Sequence, residues 1–260
     1  MIGFDDRGLL LGDGLFETVL ARAGDLVDLD AHLARMAAGC AVLGLPAPDP
    51  AEAEGLMRRA LAEAGLAQTR AAVRLTLTAG SGGRGLDRPG VPAPRLFVTA
   101  AASAVPVTPA QLMISSVARN EGSPASRLKT LSYLDNVLAR REAVAAGADE
   151  AVMLNGQGQV ACAAAANLFW ITGGAVFTPA LACGVLDGIV RRQVMAAAPV
   201  REVAAGVEAL ADAQAVFLTN SLIGVREVGS LDGRRFEPSA RVAEIAGLFS
   251  SPIHEGGGPA

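Results

Sequence analysis

The sequence predicts an α+β fold in two unequal parts, and three observations carry that prediction. The first 118 residues mix amphipathic helical stretches with strands of alternating pattern. A polar Gly/Pro segment, Arg119-Asn-Glu-Gly-Ser-Pro-Ala-Ser126, then reads as a linker. The second half is rich in strand signals and carries hairpin turns at Asn155-Gly156 and Gly173-Gly174. The expected organisation is a small N-terminal domain over 1–118, a linker over 119–126 and a larger domain over 127–260.

After a Gly/Asp-rich opening, a strand is expected from Leu15 to Ala21, turning near Gly24 and resuming from Leu26 to Leu29. Asp30 fits the N-cap of a helix of about 13 residues, with Leu33, Met36, Ala37, Cys40 and Leu43 on one face and Gly44 closing it. Asp49-Pro50-Ala51-Glu52 is a cleaner start signal, an acidic cap with proline at the first helical position; this helix should stop at Gly65. From Ala71 to Thr78, Val73, Leu75 and Leu77 alternate with Arg74, Thr76 and Thr78, the pattern of a half-buried strand. Strands at about 95–101 and 112–117 are expected to complete the same sheet.

The second part should begin with a helix carrying Lys129, followed by hairpins over 150–163 and 167–178. Asp187 can cap a helix from Gly188 to about Ala197, a short helix follows near 208–213, and a strand from Ala215 to Thr219 ends in Asn220-Ser221. A last helix covers about 239–249, and the tail GGGPA is expected to fray.

Composition bounds the function. At 260 residues, with 51% hydrophobic and 18% charged residues, the chain is globular and long enough for a sizeable core. A net charge of −4 without a basic stripe argues against nucleic acid as a partner. Cys40, Cys162 and Cys183 form neither a disulfide framework nor a zinc pattern, and with His32 and His254 the only histidines no metal centre is expected. The longest weakly polar run, 160–172, is too short to span a bilayer, and the first residues lack a signal-peptide pattern. No membrane partner and a cytoplasmic location are expected.

Lys129 is the single lysine among 22 basic residues. Arginine cannot replace a lysine that must lose its proton and bond to a carbonyl, so this survivor is a candidate catalytic amine, although compositional bias alone also explains it. Two further sites could hold a phosphate. The backbone N–H groups of Ile189 and Val190 at a helix start favour an anion, and Thr219-Asn220-Ser221 at a strand end could add side-chain donors; an ordinary capped helix and an ordinary turn are the alternatives.

Taken in order, GDGLFETV, HLAR, RLTLTAGSGGRG, LKTLSYLDNVLARREA, DEAVMLNGQGQVACAAAANLFW, GIVRR and LTNSLIGV resemble the fold-type IV pyridoxal-phosphate enzymes, which include branched-chain and D-amino-acid aminotransferases and aminodeoxychorismate lyase. The resemblance runs from Phe4 to about Val225. It implies a barrel-like C-terminal domain, pyridoxal 5'-phosphate in the cleft between the two parts, and a homodimer acting on a small molecule. It makes Lys129 the residue that bonds to the cofactor and moves the proton. Arg35 matches the arginine that pairs with the cofactor phosphate; Ile189, Val190, Asn220 and Ser221 match the rest of the phosphate cup. Arg84 sits where the family often places an arginine for a substrate carboxylate, with a solvated loop arginine as the alternative. Tyr133 could face the substrate or pack in a core.

One position departs from the pattern. The family has G-x-V-x-E after the first hairpin, its glutamate paired with the pyridine nitrogen; here Gly158-Gln-Val160-Ala161 is followed by Cys162. A thiol is mostly neutral at pH 7 and holds a pyridinium less firmly, which weakens the electron sink. That tilts the expectation toward a lyase converting 4-amino-4-deoxychorismate to 4-aminobenzoate and pyruvate. A class IV aminotransferase acting on branched-chain or D-amino acids, and a non-catalytic member of the family, are the alternatives.

Overall fold

A computed structural model describes residues 2–249. His254 and the expected frayed tail lie outside the described residues. The chain opens with a one-turn helix α1 (Arg7–Leu11), capped by the Asp6 carboxylate on Gly8 N–H, and enters β1 (Gly14–Arg22) and β2 (Asp25–Leu26). Helices α2 (Leu29–Leu43) and α3 (Pro50–Glu63) follow, then β3 (Ala71–Thr78) and β4 (Arg95–Ala102). Asp49 caps α3 as expected, accepting from Glu52 N–H, whereas α2 starts one residue ahead of Asp30 with Asp28 at its cap. Gly44 ends α2 at φ +63°, a left-handed cap.

These strands form an antiparallel sheet in the order β2-β1-β3-β4. One face carries Leu15, Val19, Val73, Leu75 and Leu77 against Leu33, Met36, Met57 and Leu61 of the two helices, giving the first core. Thr76 and Thr78, expected on a solvated face, are buried as well, and the Thr78 hydroxyl donates to Asp6 at 2.9 Å. The turn ahead of α1, packed on β3, covers Thr78.

The strand near 112–117 does not complete this sheet. It is β5 (Ala110–Ile114), and it belongs to a second, nine-stranded sheet. The remaining elements are α4 (Pro124–Arg127), α5 (Leu134–Ala145), β6 (Glu150–Leu154), β7 (Val160–Ala163), β8 (Asn167–Thr172) and β9 (Ala175–Pro179). After a 3-10 turn at Leu181–Cys183 come α6 (Ile189–Ala197), β10 (Val200–Val203), α7 (Glu208–Ala211), β11 (Ala215–Asn220), β12 (Gly224–Leu231), β13 (Arg234–Arg235) and α8 (Ala240–Gly247). Both expected hairpins are present, as the antiparallel pairs β6/β7 and β8/β9. The sheet order is β10-β9-β8-β11-β12-β5-β6-β7, with β13 beside β12. Its ends approach each other, since Val160 N–H at the start of β7 donates at 2.8 Å to Ala205 O, just past β10. The sheet therefore curls into a barrel-like form.

The placement of β5 has a physical cause. It pairs in parallel with β6 and β12, and its Ala110 and Leu112 enter a core with Val152, Trp170 and Val216. The chain thus passes between sheets at 103–109, ahead of the segment read as a linker. Within that segment Arg119 is buried, donating to Gly184 O at 3.0 Å and Asn136 Oδ1 at 2.9 Å, and also to Ser126 O. No helix among the described residues is long and apolar enough to cross a membrane.

Candidate active site

Lys129 sits beside the first sheet, in the turn after α4 and not on a helix as expected. Its carbonyl accepts from Phe16 N–H at 2.9 Å, and Leu131 N–H donates to Gly14 O at 3.0 Å. Those bonds stitch 129–131 to β1 in extended form, so α5 cannot begin until Leu134, with Tyr133 at its cap. The amine is thereby fixed by a strand. Nζ lies 4.3 Å from the Phe16 ring centre and 3.5 Å from the Tyr133 hydroxyl. The Arg74 guanidinium covers the same Phe16 ring at 3.6 Å.

Burial pushes the Lys129 amine down to about 8; the Glu17 carboxylate opposes the shift, and the charges of Arg35, Arg74 and Arg119 add to it. Roughly a tenth of such amines carry a free lone pair at pH 7, against roughly a thousandth or less for an ordinary lysine. The neighbouring Tyr133 hydroxyl is pushed up to about 12, again chiefly by burial, so it stays a neutral donor.

A cavity of about 280 Å³ opens beside the amine. It brings together Arg35, Lys129, Tyr133, Cys162, Ile189, Asn220 and Ser221 from five separate stretches of chain. Two residues singled out in the sequence do not line the cavity with their side chains. Val190 turns its side chain into the core with Phe169 and Phe217, and only its backbone belongs to the first turn of α6. Arg84 is exposed on the 80–90 loop, outside the cavity of its own chain. That loop is held by Arg7, which donates to Leu86 O at 2.9 Å and Asp87 O at 3.0 Å.

One end of the cavity suits an anion. Gly188 is the N-cap of helix α6, and no side chain caps the first-turn N–H groups. Asp187, expected as that cap, instead pairs with Arg191 at 3.5 Å and Arg192 at 3.7 Å. The Gly188 backbone approaches Asn167 so closely that a Cβ there would stand 2.0 Å from its Oδ1. Thr219 is fully buried in the cavity wall with its hydroxyl unpartnered, and Ser221 lines the same wall. Asn220 is already committed, its Oδ1 accepting from Leu222 and Ile223 N–H at 2.9 Å each and its amide donating to Ala165 O at 3.0 Å. It shapes the turn.

Arg35 reaches the same end from α2. Its Nη1 donates to Asp187 O at 3.1 Å, while Nε and Nη2 engage the buried Glu17 carboxylate, which also lies 2.7 Å from His32 Nδ1. Toward the second sheet, Cys162 lies buried in the cavity wall. Burial pushes its thiol up, against the nearby Arg119 charge and with the help of Glu150.

Phe16, Arg74, Arg119 and Asn136 escaped the sequence reading of the site, whereas Thr219 belongs to the Thr219-Asn220-Ser221 strand end already read as a source of donors. Arg119 was hidden by its polar Gly/Pro neighbours, and Asn136 by its place within a helical pattern. A signal existed for Phe16 and Arg74: they fall in the two strands beside the Gly-rich motifs.

The chain matches known proteins over most of its length. Residues 14–231 match the model of the amino-transferase class IV family. The aminodeoxychorismate lyase of Vibrio harveyi is 30% identical over 241 residues, covering 87% of this chain and 86% of that protein. A candidate 4-amino-4-deoxychorismate lyase from Legionella pneumophila superposes with a TM-score of 0.89 at 29% identity, covering 96% of this chain and 94% of the other. A branched-chain amino acid aminotransferase from T.th., solved with N-(5'-phosphopyridoxyl)-L-glutamate, gives a TM-score of 0.85 at 27% identity, covering 96% and 87%. Nearly the whole of the described fold is therefore shared, the strands that build the cavity included, and the chain is a member of the amino-transferase class IV family of enzymes.

Proposed function

We propose that this chain is a pyridoxal-phosphate-dependent lyase that converts 4-amino-4-deoxychorismate to 4-aminobenzoate and pyruvate. The observation that carries the reading is the pairing, in one cavity, of the depressed Lys129 amine with the neutral, buried Cys162 thiol. The residues present fit the cofactor. Its phosphate suits the uncapped start of α6, the orphaned Thr219 hydroxyl, Ser221 and the remaining N–H of Arg35. When bound, pyridoxal phosphate supplies an electron sink for the bond broken on the substrate.

The chain's own groups do the rest. Lys129 Nζ would hold the cofactor and would take the proton from the substrate ring carbon, a task suited to an amine with a pKa of about 8. The Tyr133 hydroxyl, 3.5 Å away, orients that amine. Arg74, stacked on Phe16 beside Nζ, is placed to take a substrate carboxylate. Cys162 offers a neutral thiol where a carboxylate would keep a ring nitrogen protonated, which would leave the bound cofactor a weaker electron sink. An elimination that forms an aromatic product would tolerate a weaker sink than amino-group transfer would.

The reading includes a homodimer. Phe4, Leu9, Leu10 and Leu86 are exposed, and a second copy would cover them; Arg84, on the same loop as Leu86, would then be free to serve the neighbour's cavity. Three unpaired cysteines suit a reducing, cytoplasmic compartment.

The test is the visible absorption of the protein loaded with pyridoxal phosphate, repeated for Lys129→Ala. A band present in the unmutated protein and lost in the variant supports the site. Release of pyruvate from aminodeoxychorismate then separates the lyase from an aminotransferase, which would convert the cofactor to its amine form when given an amino acid.

A further inference from the structure

The face of β1 and β3 turned away from α2 and α3 carries more charge than the proposed reaction has yet used. Phe16 and Thr18 on that face line the cavity. Continuing the register that pairs Thr18 with Arg74 and Ala21 with Ala71 sets Arg22 opposite Arg70. The two guanidinium groups are close enough that Arg22 adds to the burial that lowers the Arg70 pKa. Neither has an ion-pair partner among the described residues, and the Nε of each is buried without any hydrogen-bond partner. Asp25, the strand partner of Arg22, is exposed and forms no ion pair with it. Arg70 Nη2 donates to the carbonyl of Leu222, and Leu222 is part of the cavity wall.

Two adjacent cations with buried, idle donors are unfavourable unless an anion joins them. We infer that the Arg22–Arg70 pair is a second carboxylate subsite at the cavity rim, selecting substrates with two carboxylates over those with one. The inference rests on the lyase reading for the identity of the ligand, since aminodeoxychorismate has two carboxylates. Arg74 holds one near Lys129. The Arg22–Arg70 pair takes the other, with fork geometry that a lysine would lack.

The probes are benzene-1,3-dicarboxylate and benzoate, titrated calorimetrically into the cofactor-loaded protein. The dicarboxylate should bind about tenfold tighter than benzoate. Arg70→Gln and Arg22→Gln should each remove about that factor for the dicarboxylate and leave benzoate binding unchanged. Arg70→Lys should restore part of it. Thermal melting of the cofactor-free variants guards against misfolding: relieving a like-charge contact should leave the midpoint unchanged or raised. Equal binding of the two probes by the unmutated protein would overturn the subsite, as would equal loss of both in the variants. Discrimination between the probes without turnover of aminodeoxychorismate keeps the subsite and removes the lyase reading; turnover without discrimination removes the subsite alone.

Discussion

The Glu17 carboxylate accepts both Nε and Nη2 of Arg35, at 2.8 and 2.6 Å, in a site where Glu17 is 1% exposed. This fork ties β1 to α2 and leaves Nη1 facing the start of α6. Burial by itself would raise the Glu17 carboxyl; hydrogen bonds from Arg35 and His32 outweigh it and hold the group below the usual carboxylate range.

Glu17→Gln should therefore cost about 3–5 kcal/mol in urea unfolding, because it leaves a partly buried guanidinium unpaired. The pH dependence follows from the same shift. A carboxyl depressed in the folded state contributes stability above its unfolded value, near 4.5, and loses that contribution as pH falls through the folded value. Acid unfolding of the Gln variant should be correspondingly shallower below that point.

Lys129 has the opposite sign. Its folded value of about 8 lies below the unfolded 10.5, so between these the unfolded chain binds the extra proton. Stability of the cofactor-free protein should rise with pH across that window, and Lys129→Met should abolish the rise. Acylation of the amine should reach half its maximal rate at a pH of about 8.

Gly188→Ala tests the anion end of the cavity. The added Cβ would meet Asn167 Oδ1 at 2.0 Å and displace an amide that donates to Leu186 O at 2.8 Å. Cofactor affinity should fall at least about tenfold by equilibrium dialysis, with a stability loss of about 1–3 kcal/mol.

Cys162→Glu places a carboxylate in the wall near Arg119, whose present partners are all neutral acceptors. The variant should gain conversion of the cofactor to its amine form by amino acids and lose pyruvate release from aminodeoxychorismate. Unchanged partition between the two would show that residue 162 does not set the reaction.

Much of this fold was legible because its signals are local. The Asp49-Pro50 start of α3, the glycine that closes α2 and the turns of two hairpins each rest on residues within a few positions of one another. Lys129 stood out by chemistry, since only an amine that can lose its proton does what an arginine cannot. Errors arose where distant segments decide. The Lys129 stretch has helical spacing, yet backbone bonds to Gly14 and Phe16 draw it out. Asp187 looks like a cap, but the cations of Arg191 and Arg192 hold its carboxylate away.

The sequence by itself determined the alternation of strands and helices, the single amine and the family motifs, all properties of short windows read by period and residue type. Tertiary structure alone decided that β5 joins the larger sheet, that Arg119 is buried in the cavity wall while Arg84 is exposed outside it, and that Arg22 meets Arg70. The reason is the same in each case: which face of a strand is covered, and which charge is left without a partner, depends on segments tens of residues away that must be folded before they can meet.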